Sequence, residues 1–205
     1  NHDYPRIEAL GVRTFEAAET KMGDSPARPR REARATRRRL QRRRRRLDLT
    51  LELFQKYSLI KKGQEELILS PSGEKKDPWT LRAEGLDRLL SGEEWARILY
   101  HICKHRGYRS MRLDKQVKDN DEGLVKSAIS ENEHYLLSSC WRTVGEMLAR
   151  DSRYESSKRN HGNYNNAVSR DMLDREIRTL FQKQREYKNP FADGFFQKEF
   201  LYLFH

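Results

Sequence analysis

The chain has 205 residues, 36% of them apolar and 36% charged, with 42 Lys+Arg against 31 Asp+Glu for a formal net charge of +11. That length supports one or two small domains with a modest core, and the polar balance leaves much surface for partners. No apolar run reaches membrane-spanning length and no signal peptide is visible. The two cysteines, Cys103 and Cys140, lie too far apart for a disulfide framework, which fits a reducing compartment.

Taken in chain order, "RIEALGVRTFEAAE" (6–19) mixes β-branched and aromatic residues and predicts a short strand-like segment. "MGDSPARP" follows as a loop, with Asp24 or Ser25 as helix cap. From Arg28 to Arg46 there are twelve arginines, one glutamate and no lysine, so this stretch carries the whole net charge and the rest is neutral. The segment predicts a helix with Pro29 in its first turn, because proline deeper inside costs roughly 3 kcal/mol. Ala33, Thr36, Leu40, Leu47, Leu51 and Phe54 fall on one narrow seam at helical spacing. Arginine covers nearly all the remaining circumference in the basic half. A membrane-surface helix needs a broad apolar face, and a coiled coil needs a seam that Arg43 and Arg44 interrupt here. Such a localised charge predicts a polyanionic partner, and arginine rather than lysine suits bidentate phosphate contact. After Leu47 the pattern turns amphipathic, which predicts docking on protein.

"KKGQEELILSPSGEKKDP" (61–78) reads as a connector with one short strand in it. "PWTLRAEGLDRLL" reads as a helix. Ser91 and Glu94 form a capping box for "GEEWARILYHICKHRGY", whose apolar face is Trp95, Ile98, Leu99 and Ile102. Residues 114–134 read as a polar loop with a helical stretch near "GLVKSAI", "TVGEMLAR" as a short helix, and 154–168 as a long polar loop. Ser169 caps a helix with Met172, Leu173, Ile177, Leu180 and Phe181 on one side, and "NP" at 189–190 stops it. The chain opens on Asn1 and ends in the aromatic run "FFQKEFLYLFH", so both ends look cut. The expected fold is mainly α: one long arginine-rich helix leading into a small irregular helical domain.

His101, Cys103 and His105 form H-x-C-x-H, but Ile102 stands where a zincin places its catalytic Glu, and no CxxC pair completes a structural zinc site. No Gly-rich phosphate loop, GxSxG elbow or DxD-like pair is present, so neither catalytic nor metal residues are expected. "KHRGYRSMR" (104–112) gathers four cations and Tyr108 around Gly107, where backbone can approach a ligand closely; the bland alternative is an exposed basic turn. A sequence-specific DNA-binding basic region would need a zipper and a base-reading side chain, and neither is found.

The order "LGVRTFEAAE", "GDS", arginine helix, "PWTLRAEGLDRLL", "EEWARILYHICKHRGYRS" and "NYNNAVSRDMLDREIRTLFQKQREYKNP" resembles the amino-terminal part of the CRISPR-associated type II effector endonucleases, the Cas-nine family, and most of all its compact type II-C branch. The resemblance implies that residues 1–25 are the tail of the first RuvC segment and a linker, 26–56 the bridge helix, and 57–205 the start of the recognition lobe. It implies that Arg34, Arg37, Arg38, Arg39, Arg42, Arg43, Arg44, Arg45 and Arg46, with Lys104, Arg106 and Tyr108, contact RNA. The implied partners are guide RNA (crRNA with tracrRNA) and target DNA through the heteroduplex. An acidic anti-CRISPR protein docking on the arginine helix is the alternative. The parent would be an RNA-guided DNA endonuclease of the bacterial cytoplasm that uses Mg2+. The chain starts after the family's first catalytic aspartate and lacks the later nuclease segments, so it is expected to be inactive alone, with no cofactor of its own.

Overall fold

The computed structural model describes residues 10–12, 25, 27–69, 76–109, 121–155, 158 and 164–205. The strand-like segment expected at 6–19 lies largely outside them. The described elements are α1 (Ala27–Lys56), α2 (Glu66–Leu69), α3 (Pro78–Glu84), α4 (Gly92–Lys104), α5 (Asp121–Ser138), α6 (Val144–Arg150), a 3-10 turn (Ser152–Tyr154), α7 (Arg170–Glu186) and α8 (Gly194–Phe204). The protein is mainly α, and among the described residues the only β pairing is one isolated bridge, Tyr108 with Ser169. Where a strand was expected, "ELIL" forms α2 instead, with Ile68 buried. The helical stretch expected near 123–129 extends over the whole of α5. "GFFQKEFLYLF", given no structure from sequence, is α8.

The chain divides into two compact units, Asn1–Arg42 and Arg43–His205. In the first, α1 begins beside Ser25, whose hydroxyl accepts from the Ala27 amide at 3.3 Å, and Pro29 falls in the opening turn as expected. Residues 28–42 are exposed throughout, so Ala33, Thr36 and Leu40 (58% exposed) do not form a buried seam.

In the second unit the helices start where their caps dictate. Asp77 accepts from the Trp79 amide ahead of α3, Ser91 and Glu94 complete the capping box of α4, and Thr143, Ser169 and Asp193 cap α6, α7 and α8. The core is a run of aromatic contacts that ties α1, α4, α7 and α8 together. Phe54 meets Phe196 at 6.3 Å between ring centroids, Phe196 meets Phe181 at 5.7 Å, and Phe181 meets Trp95 at 4.8 Å. All four rings are fully buried, so each truncation to alanine costs about 3–5 kcal/mol.

Two buried amides fix the connections. Gln184 donates to the carbonyls of Gly85 (2.7 Å) and Arg88 (2.8 Å) and accepts from the Leu90 amide (3.0 Å), which holds the turn between α3 and α4. Asn132 on α5 donates to the carbonyls of Asn165 (2.7 Å) and Ala167 (2.9 Å) and accepts from the Tyr154 hydroxyl (2.9 Å). Asn132 thereby positions the strand of backbone that pairs with Tyr108.

Candidate nucleic-acid interface

The cationic surface has two described parts. The first is the exposed run of α1. Arg34, Arg37, Arg38, Arg39 and Arg42 have no carboxylate within ion-pair distance among the described residues, whereas Arg28 pairs with Glu32 at 2.9 Å. Arginine and alanine hold the helix by propensity, and among the described residues Glu32 is the carboxylate that pairs with this run.

The second part lies where α1 meets the end of α4. Here helical periodicity sorts the arginines. Arg43, Arg46, Leu47 and Thr50 face the domain, and Arg44 and Arg45 stay exposed. Thr50 is fully buried, donates to the Arg46 carbonyl (2.8 Å) and contacts the Cys103 sulfur (3.3 Å). Burial pushes the Cys103 thiol up from its ordinary range. Arg46 donates from Nε to the Cys103 carbonyl (3.2 Å), one of the α4 carbonyls left without an intrahelical partner.

At the end of α4 Lys104 is exposed; past the His105 cap, Arg106 is half-buried and Gly107 left-handed at φ 72°. The Tyr108 amide donates to the Val168 carbonyl (2.9 Å), and the Arg170 amide donates to the Tyr108 carbonyl (2.9 Å). A Cβ at Gly107 would lie 2.8 Å from the Ser169 carbonyl oxygen. The close approach expected at Gly107 is therefore made to the chain's own backbone, and glycine is required for that contact.

This pairing brings Arg106, Arg109 and Arg170 together beside Arg46. Burial holds Arg106 down at about 10, helped by the charges of Arg46, Arg170 and Arg109. Arg170 is lowered by burial and then by Arg109 and Arg46, and its Nε is buried with no hydrogen-bond partner. Arg106 donates to the Phe204 carbonyl at 2.9 Å, at the negative end of α8. Four guanidinium groups that repel one another favour an anion in their midst. An open cleft of about 630 Å³ adjoins them, lined by Tyr108, Arg109, Lys126 and Arg170 together with the carboxylates Glu133 and Asp171.

Of the residues expected to touch RNA, the second unit sets Arg46 beside Arg106, with Tyr108 two residues on; Arg44, Arg45 and Lys104 are exposed. Sequence reading missed Arg170, which sits beside a recognised Ser169 cap, and gave no role to Arg109, which lies inside "KHRGYRSMR". His101 and His105 do share a face, with rings 5.0 Å apart, while Cys103 turns toward Thr50. Among the described residues no group of three or more His, Cys, Asp or Glu is placed to hold a metal, and no helix is long and apolar enough to cross a membrane.

No family model matches the chain. A curated protein from Campylobacter jejuni, the CRISPR-associated endonuclease Cas9, is 31% identical over 204 residues, covering 92% of this chain and 20% of that protein. The crystal structure of Campylobacter jejuni Cas9 with sgRNA and target DNA (AGAAACC PAM) aligns with a TM-score of 0.70 and 30% identity over 91% of this chain and 25% of that one. A cryo-EM assembly of St1Cas9 with sgRNA, tDNA20 and AcrIIA6 aligns at 0.65 over 85% of this chain and 20% of that one; at 22% identity it speaks for the fold alone. The chain thus spans about a fifth of the curated relative's length. Sequence and fold agree on the class, that of the CRISPR-associated effector proteins. Within that class the chain belongs to the type II Cas9 family, and the Campylobacter jejuni matches fit its compact branch.

Proposed function

We propose that this chain is the guide-RNA-holding segment of an RNA-guided DNA endonuclease, with α1 as bridge helix and the helices after it as the start of the recognition lobe. The observation that carries the reading is the cluster of Arg106, Arg109 and Arg170, set beside Arg46, in which burial and the neighbouring charges already depress Arg106 to about 10. A phosphate placed there relieves the repulsion. The bare arginines of α1 add charge that is independent of base sequence, as a groove for nucleic-acid backbone requires. The relative's crystal structure was solved with sgRNA and target DNA, which supports these as the partners here.

The test is binding of the chain to a cognate guide RNA, an unrelated RNA of equal length and duplex DNA across a salt series. If roughly 6–10 arginines reach phosphate, affinity falls about 10³–10⁵-fold between about 50 and 200 mM salt. Changing Arg42–Arg46 to alanine is expected to collapse binding; equal affinity in that variant would sink the reading. Tighter binding to the cognate guide means that the helical domain adds shape recognition to charge. An acidic protein that competes with RNA for α1 would establish the second reading.

A further inference from the structure

We propose that Arg46 is a positioning residue: with Thr50 it forms a joint against Cys103 that fixes the rotational setting of the arginine helix where it enters the domain. The proposal rests on the guide-RNA reading and assigns a different task to one of its arginines.

Arg46 differs from its neighbours. Its Nε is engaged on the Cys103 carbonyl at 3.2 Å. Its own carbonyl accepts from Thr50, and the same Thr50 hydroxyl lies 3.3 Å from the Cys103 sulfur. Two points on one helix face, a turn apart, thus grip one residue at the end of α4, and Thr50 and Cys103 are fully buried. A helix turns about 100° per residue. A slip by one position would remove Arg46 and Thr50 from Cys103 together and put Arg45 or Leu47 in the place of Arg46. With the joint closed, Arg44 and Arg45 stay exposed. Arg106 lies three residues past Cys103, so the joint couples the setting of α1 to the turn that carries the rest of the cluster. A polyarginine surface by itself has no preferred face, and a buried Thr–Cys contact with one capped carbonyl supplies one.

The experiment titrates a labelled single-stranded RNA of about 20 nucleotides with the chain and with Arg46→Met, Thr50→Val, Arg44→Ala and Arg46→Met/Arg44→Ala across a salt series. Thiol labelling of Cys103, referenced to the exposed Cys140, reads the joint without RNA. Arg46→Met and Thr50→Val are each expected to weaken binding by about three- to tenfold, in line with one lost hydrogen bond. The salt slope is expected to be unchanged. Cys103 should label faster in both, and Arg44→Ala should cost less in the Arg46→Met background than alone. Arg46→Lys, which keeps one donor, should recover most of the affinity.

A salt slope shallower by about one in Arg46→Met, with Thr50→Val silent, would make Arg46 a phosphate ligand and overturn the proposal. Faster Cys103 labelling with unchanged affinity would reduce the joint to a structural contact and overturn it too. Cys103 labelling as slow in both variants as in the parent would show that there is no joint. A parent chain that fails to bind RNA overturns the guide-RNA reading and the positioning role with it. That outcome is distinct from failure of the joint, because the labelling is read without RNA.

Discussion

Arg82 and Glu176 form a two-pronged ion pair in the interior, Nε to Oε1 and Nη2 to Oε2, both at 2.6 Å and both residues 1% exposed. The Gly145 amide donates to the same carboxylate at 2.9 Å, and the Trp79 ring packs on the guanidinium at 4.4 Å. The pair ties α3, α6 and α7 together beneath the cationic surface.

Breaking one side of that pair strands a buried charge. Glu176→Gln is expected to cost about 3–5 kcal/mol in chemical denaturation. Gly145→Ala should also destabilise the chain, because its Cβ has no room beside the Glu176 carboxylate, and a wild-type midpoint for either variant would show that the site relaxes.

Acid should loosen the start of α4. The Arg88 hydrogen bonds, with the Ser91 amide, hold Glu94 at about 2 against an ordinary 4.5, even though burial pushes it the other way. A depressed carboxylate contributes stability that is fully present above the ordinary value and is lost as pH falls from 4.5 toward 2. Thermal midpoints over that range should fall more steeply for the parent than for Glu94→Gln; parallel curves would remove Glu94 from the account.

Arg106 should trade stability for binding. Its charge is a standing cost in the unliganded chain, because the folded pKa of about 10 lies below arginine's ordinary value. The sign follows: the folded chain binds fewer protons between those values, so this group's contribution to stability rises as pH climbs through them. Arg106→Met is expected to leave the thermal midpoint unchanged or higher at neutral pH, despite losing the Phe204 carbonyl contact. RNA affinity should fall, with a salt slope shallower by about one. A lower midpoint with full affinity would contradict both halves.

The exposed run of α1 should gain helix when its charge is screened. Arg34 with Arg38 and Arg38 with Arg42 are like-charge pairs one turn apart, each destabilising by about 0.2–0.5 kcal/mol, and Arg28–Glu32 is the favourable pair in this run. Far-UV circular dichroism is expected to show rising helicity with added salt and, more steeply, with RNA. A flat signal would mean that the unliganded helix is already complete.

The elements most legible in the sequence were those set by local chemistry. Ser91 with Glu94, and Ser169, mark helix starts through hydrogen bonds within a few residues, and the apolar spacing of α4 and α7 gave their buried faces. Helix α8 was missed because its aromatics crowd together, although Phe196, Phe200 and Phe204 recur every fourth residue and are the buried ones. The seam along the basic half of α1 is uncovered, because spacing shows which residues share a face but not whether anything packs on it.

Sequence alone determined the charge of the arginine run, its helical form and the family resemblance, because composition, propensity and motif order are properties of the chain read locally. Tertiary structure decided which cations act together. Arg46, Arg106, Arg109 and Arg170 come from three separate stretches, and Gly107 and Asn132 bring them together through backbone contacts that no sequence period encodes. It also decided that Thr50, an unremarked residue between two leucines, is fully buried against Cys103. Local patterns specify helices and their faces. The repulsion that prepares a site for phosphate depends on distances between residues remote in the chain, and packing alone sets those distances.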